Sequence, residues 1–215
     1  MDRFTAISQY IARRIRKYYR RDSTVIHAPV DTSQGFLADT HEDYYLTVGR
    51  LVPYKRTEFL IGACCKLGRK LLIEGDGPEI KRLKKRSAKN IEFLGEIDDA
   101  QLRNIYARCR AFLFAADEDF GLVPLEAQSY GRPVIALGKG GALETVVGSY
   151  GPVRIQANRE ESATTVSFFR SKPPTRWQRQ FLLSSPVRKL LNQNISGCTL
   201  AGLIHRFLSI GCTTT

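Results

Sequence analysis

A strand, a helix and a second strand can be recognised in residues 110–141, which read RAFLFAADEDFGLVPLEAQSYGRPVIALGKGG. The apolar run 111–115 is typical of a buried strand, and the next apolar run, 133–136, predicts another. Between them the sequence predicts a helix over 124–130, which Gly131 can end. This order is typical of a unit in which two parallel strands are joined through a helix.

The same alternation runs through the region that precedes this unit. Apolar, β-rich runs predict three further strands, at 44–48, 70–73 and 91–94. Helical spacing predicts three further helices, at 58–67, 79–87 and 99–107, the last capped by Asp98. We therefore predict an α/β fold, a Rossmann-like parallel sheet with helices on both faces. Ligands bind such sheets at the carboxyl ends of the strands, where glycine and acidic residues cluster in this sequence.

The first 43 residues lie outside this alternation. We predict a helix over 1–19 that Ser8 can cap, a short strand at 23–26 and a polar loop at 32–43. The helix carries many basic residues, which we interpret as a solvated face rather than as a nucleic-acid-binding helix.

The composition is that of a globular protein with a strong positive charge. The chain has 215 residues, and 33 basic against 21 acidic residues give a net charge of +12. No stretch approaches the roughly 20 apolar residues of a membrane span, and no secretory signal is visible near Met1. The five cysteines and three histidines show neither zinc-binding spacing nor a disulfide framework. We therefore expect a cytoplasmic protein with reduced thiols and no metal site.

Two carboxylates, Glu118 and Glu126, flank the predicted strand-to-helix turn. Gly121 lies between them and permits close approach of the backbone, while the amides of a helix N-terminus can face an anion. A glutamate one turn into the helix can accept two hydroxyl groups, as recognition of a ribose requires. The alternative is an ordinary helix-start acid and a solvated glutamate.

Two cations follow the predicted strand at 44–48. Gly49 ends this strand, and Arg50 and Lys55 come directly after it. An arginine binds phosphate as a fork and a lysine binds it as a point charge, so the two together could hold a diphosphate. The alternative is a pair of ordinary surface cations.

Two glycine-containing turns follow other predicted strands. Gly75 and Gly77 lie in a tight turn at 74–78, and a glycine-rich turn at 138–141 could bind phosphate through its amides. Neither is a Walker A loop or a G-x-G-x-x-G motif, so each is also compatible with a plain strand-to-helix turn.

Together and in this order, the motifs resemble the carboxyl-terminal half of retaining group 1 (family 4) glycosyltransferases, which have the GT-B fold. Six segments carry the resemblance: 48–55, 75–78, 93–95, 118–127, 131–136 and 140–146. Residues 4–31 are also similar to the end of the family's amino-terminal domain and its crossover linker. The details are most similar to mannosyltransferases of polysaccharide synthesis.

The resemblance implies roles for the residues at the strand ends. Ten residues are implied in donor binding: Gly49, Arg50, Lys55, Gly75, Gly77, Glu118, Phe120, Gly121, Leu122 and Glu126. Arg50 and Lys55 bind the diphosphate and stabilise charge on the leaving group, and with Glu118 they form the implied catalytic set. Glu118 contacts the donor sugar, and Glu126 holds the ribose hydroxyls. The segment 120–122 supplies backbone and stacking contacts.

The implied reaction is transfer of a sugar from a nucleotide-sugar donor to a glycan or lipid-linked acceptor, with retention of the anomeric configuration. GDP-mannose is the first candidate for the donor, and UDP-glucose is a second candidate of nearly equal standing. No metal or other cofactor is implied, because arginine, lysine and helix ends replace it in this family.

Three regions follow from the resemblance: a remnant of the amino-terminal domain with the crossover linker at 1–40, a nucleotide-sugar-binding domain at 41–147, and an irregular basic tail at 148–215. The tail has no acidic residue after Glu161. Read one base earlier from about residue 170, its codons can encode a family-like continuation rich in helix formers. We therefore interpret the tail as translated out of frame from about residue 170, or from as early as residue 148.

The first hypothesis for this chain is a truncated enzyme that binds the donor but transfers hardly any sugar. Two alternatives stay open. The chain could be one subunit of a split glycosyltransferase, with a separate amino-terminal half as its partner. Its basic charge could instead serve a module that binds nucleic acid or an anionic surface, although no specific nucleic-acid motif is visible. The same charge is compatible with peripheral contact at the inner face of a membrane.

Overall fold

The computed structural model describes residues 3–36, 38, 40–146, 154–155 and 164–168. These residues form nine strands: β1 Phe4–Ala6, β2 Ser23–Val25, β3 Tyr44–Val48, β4 Lys70–Glu74, β5 Ile91–Gly95, β6 Ala111–Phe114, β7 Val134–Leu137, β8 Arg154–Ile155 and β9 Thr164–Phe168. They also form six α-helices: α1 Gln9–Tyr19, α2 Thr57–Leu67, α3 Ile80–Lys85, α4 Asp99–Arg108, α5 Leu122–Ser129 and α6 Ala142–Thr145. A single turn of 3₁₀ helix, Pro53–Lys55, precedes α2.

Seven strands form one sheet in the order β5-β4-β3-β6-β7-β9-β8. Strands β3 to β7 pair in parallel, and a helix follows each of the first four before the chain returns to the sheet. The predicted Rossmann-like parallel sheet is therefore confirmed. The edge differs, because β9 runs antiparallel to β7, with Ile135 opposite Phe168. Strands β8 and β9 lie within the tail that the sequence pattern left irregular.

The sheet separates two apolar cores, because successive side chains of a strand point to opposite faces. On β6, Phe112 and Phe114 pack with α4, α5 and α6, whereas Ala111 and Leu113 pack with α2 and α3. All four of these side chains are buried. A strand that is apolar on both faces is the expected signature of a sheet covered by helices on both sides.

The predicted helix over 1–19 is wrong at its beginning. Residues 4–6 form β1, which pairs in parallel with β2, and the helix begins only at Gln9. Ser8 does cap it, since its hydroxyl accepts a hydrogen bond from the Ile11 amide at 3.1 Å. An N-cap residue has extended backbone, and so the residues before it cannot continue the helix. Asp98 caps α4 in the same way, as predicted.

A small unit formed by β1, α1 and β2 precedes the main sheet and packs against one end of it. The segment from 26 to 43 connects the two and contains no strand or helix among its described residues. No helix in the described part of the chain has the length and apolar character needed to cross a membrane.

Candidate functional site

The carboxyl ends of β3, β4 and β6 border a narrow cleft. Gly49, Arg50 and Lys55 line it, together with Glu74 and residues 114–116. The Arg50 side chain is exposed, whereas Lys55 is mostly buried. The structure therefore brings the two predicted phosphate-binding cations to one cleft. Two cations at the strand ends are suited to bind the phosphates of a ligand.

Lys55 and Glu118 form an ion pair across this cleft. Lys55 ends the 3₁₀ turn after β3, and Glu118 lies in the loop after β6, so the pair joins two neighbouring strand ends. The side chains are only 16% and 17% exposed, which weakens screening by water. The Lys55 ammonium group is therefore neutralised by the Glu118 carboxylate.

Glu126 lies in α5 and contacts Tyr106 of α4. The Tyr106 hydroxyl donates a hydrogen bond to Glu126 Oε2 at 3.2 Å. Glu74 lies at the end of β4, close enough to Glu126 for the two negative charges to interact. Burial raises the pKa of Glu74, and the charges of Glu96 and Glu126 raise it further. Of these carboxylates, Glu74 lines the cleft that holds Arg50 and Lys55, and Glu126 lies close enough to Glu74 for their charges to interact.

Gly75 and Gly77 allow the turn after β4 to pack on the backbone that follows β3. A Cβ at Gly75 would lie 2.4 Å from the Gly49 carbonyl oxygen, and one at Gly77 would lie 2.4 Å from that of Leu51. Gly75 also has a φ of +108°, a backbone conformation that residues with a side chain rarely adopt. These glycines therefore shape the wall of the cleft through backbone packing.

The glycine-rich turn after β7 supports the loop that carries Glu118. The Gly141 amide donates to the Glu118 carbonyl oxygen at 2.7 Å, and a Cβ at Gly141 would lie 2.3 Å from Cα of Phe120. Lys139 forms an ion pair with Asp117 at 2.8 Å. At least one amide of this turn is therefore committed to the protein itself.

The predicted contact segment 120–122 begins α5. Gly121 is its N-cap with φ +88°, Leu122 is partly exposed, and the buried Phe120 ring stacks on His27 at a centroid distance of 5.4 Å. The Phe120 ring thus faces the amino-terminal unit. The sequence alone did not indicate this partner.

Several residues that the sequence analysis missed join the amino-terminal unit to the site. Glu144 accepts hydrogen bonds from the Gln9 and Tyr10 amides, both at 2.8 Å, at the N-terminus of α1. Arg14 forms an ion pair with Asp119 at 3.1 Å. The Ser8 hydroxyl donates to the Asp119 carbonyl oxygen at 2.5 Å. The lack of an acidic residue in the first turn of α1 was a signal that its dipole needs an external carboxylate.

Within the ranges that the structure covers, no group of three or more histidine, cysteine, aspartate or glutamate side chains is arranged to hold a metal ion. Burial raises the pKa of the Cys64 and Cys109 thiols to about 12. These thiols are therefore protonated at neutral pH and are poor nucleophiles.

The sequence of the chain matches a known family. Residues 31–176 correspond to the family described as "Glycosyl transferases group 1". The chain belongs to the group 1 glycosyltransferases. The matched range contains β3 to β7 and every residue predicted to contact a donor.

Curated relatives of this group 1 chain include two kinds of mannosyltransferase. The GDP-mannose-dependent monoacylated alpha-(1-6)-phosphatidylinositol monomannoside mannosyltransferase of Corynebacterium glutamicum is 33% identical over 186 residues, which are 71% of this chain and 49% of the relative. The alpha-1,3/1,6-mannosyltransferase ALG2 of Candida glabrata is 33% identical over 120 residues, 55% of this chain and 24% of the relative. The chain thus spans half or less of the length of these relatives.

Solved structures share the fold. Anabaena Alr3699/HepE, solved with UDP and glucose, superposes with a TM-score of 0.63 at 19% identity, over 95% of this chain and 55% of that one. The sucrose-phosphate synthase of Thermosynechococcus elongatus superposes with a TM-score of 0.59 at 23% identity, over 66% of this chain and 42% of that one. These similarities confirm the predicted fold class, the carboxyl-terminal half of a GT-B fold.

Proposed function

We propose that this chain is the donor-binding half of a retaining glycosyltransferase, which transfers a hexosyl group from a nucleotide sugar to a glycan or lipid-linked acceptor. The observation that carries the proposal is the placement of Arg50 and Lys55 in one cleft at the carboxyl ends of parallel strands. Two cations at such an edge can neutralise a diphosphate as the bond from the sugar to its phosphate breaks. We infer no metal ion for this step.

Each remaining group has a place in the proposed donor complex. Glu126 accepts the ribose hydroxyls, and Glu118 leaves Lys55 to contact the sugar when the diphosphate arrives. The Lys55–Glu118 ion pair supports this exchange, because both side chains already face each other across the cleft. The acceptor hydroxyl then forms the new bond to the anomeric carbon, and its proton passes to the released diphosphate or to solvent.

Mannose is our preferred donor sugar, with GDP as the nucleotide, because the curated relatives named above are mannosyltransferases and one of them is named as GDP-mannose-dependent. UDP-glucose is the second candidate. Its support is the fold neighbour that was solved with UDP and glucose.

The proposed partners lie on the amino-terminal side. Tyr18 and Tyr19 of α1 and Ile26 after β2 are more than 60% exposed, which is unusual for large apolar side chains. They would pack against an α/β unit that supplies the acceptor site, encoded with this chain or separately. The basic residues of α1, among them Arg13 and Lys17, also support peripheral contact with an anionic membrane surface on the cytoplasmic side, where a lipid-linked acceptor would lie.

Donor binding is the property to test on this chain. We expect calorimetric titration with GDP, UDP and their sugars to detect one tight nucleotide. Arg50→Ala should weaken it about 10- to 100-fold, because a charge-assisted hydrogen bond contributes roughly 1.5–3 kcal/mol. Lys85→Ala removes a positive charge from the exposed end of α3 and is the matched control. Equal losses of nucleotide affinity in the two variants would show that the effect comes from net charge alone, and would contradict the proposal.

A further inference from the structure

A tyrosine hydroxyl reaches the candidate ribose-binding carboxylate from inside the core. Tyr106 lies near the end of α4, and its side chain is only 2% exposed. Its ring stacks on Tyr130 at a centroid distance of 5.3 Å and an interplanar angle of 2°, and it lies 5.8 Å from the Phe112 ring. Two aromatic neighbours therefore fix the position of the ring, and with it the position of the hydroxyl.

Packing alone does not require a hydroxyl at this position. A phenylalanine would fill the same space and make the same ring contacts, and burial of a hydroxyl is costly unless it has a partner. The partner here is Glu126 Oε2 at 3.2 Å. Burial raises the pKa of Tyr106 well above its usual value, and the charge of Glu126 raises it further. The hydroxyl thus keeps its proton at neutral pH and acts as a donor to the carboxylate.

The hydrogen bond engages only one of the two carboxylate oxygens of Glu126. Glu126 Oε2 is held by Tyr106, whereas Oε1 accepts no hydrogen bond within the described part of the chain. Each carboxylate oxygen can accept two hydrogen bonds, so one site on Oε2 and both on Oε1 are available to a ligand. The negative charge of Glu74 repels the Glu126 carboxylate, and the hydrogen bond from Tyr106 compensates for this repulsion.

We propose that Tyr106 is a positioning residue that holds the Glu126 carboxylate in the orientation that selects a ribose over a 2′-deoxyribose. The inference rests on the proposed function, since it requires that Glu126 accept the ribose hydroxyls. Tyr106 does not touch the ligand. It acts through Glu126, by restricting the carboxylate to the rotamer in which both oxygens can accept the vicinal hydroxyls.

The test measures ribose selectivity rather than affinity alone. The dissociation constants of GDP and 2′-deoxy-GDP, or of UDP and 2′-deoxy-UDP, are determined by calorimetry for the full chain, and their ratio gives the selectivity. We expect wild type to prefer the ribonucleotide and Tyr106→Phe to lower this preference about three- to tenfold, the equivalent of one hydrogen bond. Glu126→Ala should abolish the preference, and Tyr106→Phe should then add nothing to it.

Tyr44→Phe is the matched control. Tyr44 belongs to the same core and its hydroxyl donates to the Ile105 carbonyl oxygen at 2.9 Å, away from Glu126. We expect it to leave the selectivity unchanged while it lowers the melting temperature about as much as Tyr106→Phe does. A change in selectivity equal to that of Tyr106→Phe would show a general effect of the core and overturn the inference.

The outcomes separate the inference from the proposed function. If wild type binds neither nucleotide, both fall. If wild type binds with a preference that depends on Glu126 and Tyr106→Phe keeps that preference, the proposed function stands and the role of Tyr106 is rejected. A Tyr106→Phe chain that fails to fold would also reject it, because the hydroxyl would then stabilise the core rather than position the carboxylate.

Discussion

At the scale of single residues, the site contains one pair of opposite charges and one pair of like charges. Lys55 is paired with Glu118, and Glu74 lies beside Glu126. Removal of one member of each pair should therefore change ligand affinity or stability in a direction that depends on which charge is lost.

Glu118→Gln should strengthen the binding of GDP by about two- to tenfold, because Lys55 no longer has a competing carboxylate. Lys55→Ala should weaken it. The gain should disappear for GDP-mannose, since the proposed sugar contact of Glu118 is also lost. Calorimetry of the two ligands with both variants checks these signs, and Glu92→Gln, an exposed ion-pair residue of β5, is the control. Weaker GDP binding by Glu118→Gln would contradict the competition.

Glu74→Gln should stabilise the chain at neutral pH. The pKa of Glu74 is raised on folding by burial and by the charges of Glu96 and Glu126, so the folded state binds this proton more tightly than the unfolded state. Its contribution to the free energy of unfolding is present below the ordinary glutamate pKa and is lost as the pH rises through the folded value. The difference between Glu74→Gln and wild type should thus grow with pH. Urea unfolding from pH 4 to 8 measures it, and a constant difference would contradict the expectation.

At the scale of elements, the loops at the strand ends are held by close backbone packing. The turn before α6 and the loop before α5 approach so closely that a single methyl group would separate them. A loop positioned in this way presents its side chains to the cleft with little freedom, which is useful for a binding site.

Gly141→Ala and Gly62→Ala should have opposite effects on stability. A Cβ at Gly141 would lie 2.3 Å from Cα of Phe120, so the loop must move, and we expect a loss of at least about 2 kcal/mol. Gly62 lies exposed within α2 with no atom within 4 Å of an added Cβ, and alanine there should stabilise by about 0.5–1 kcal/mol. Chemical unfolding of both variants compares them. A Gly141→Ala chain as stable as wild type would contradict the close packing.

At the scale of the whole molecule, the amino-terminal unit is docked on the main sheet by polar contacts at one end of α1. Ser8, Gln9 and Tyr10 all bond to residues that lie more than a hundred positions away, in the loop after β6 and in α6. The structure therefore links the order of the amino-terminal unit to the loops that carry Glu118 and Phe120.

Glu144→Ala should release α1 from the sheet. The carboxylate accepts two backbone amides at a helix N-terminus, which are worth roughly 1–3 kcal/mol together. We expect faster hydrogen exchange of the α1 amides with little change in β3 to β7. Asp22→Ala removes an exposed ion-pair partner of Arg16 beside the same helix and is the control. Unchanged exchange in Glu144→Ala would show that other contacts, such as the Arg14–Asp119 ion pair, hold the unit without Glu144.

The frame of the basic tail stays a prediction, since most of residues 148–215 lie outside the described residues. Independent sequencing of the source DNA tests the hypothesis, and an uninterrupted frame would refute it. The predicted boundaries at 40 and 147 likewise stay predictions.

The sequence by itself determined the layers of the fold and the chemical identity of the cleft. Apolar runs and helical spacing depend on local chain order, and so the five strands β3 to β7 and the motif residues Arg50, Lys55 and Glu118 could be read directly. Tertiary structure decided which distant groups meet. The Tyr106–Glu126 hydrogen bond, the Lys55–Glu118 ion pair and the Glu144 cap on α1 each join elements far apart in the chain, and local patterns carry no information about such contacts. The antiparallel β9 was missed for the same reason, because its place depends on pairing with β7 rather than on its own sequence.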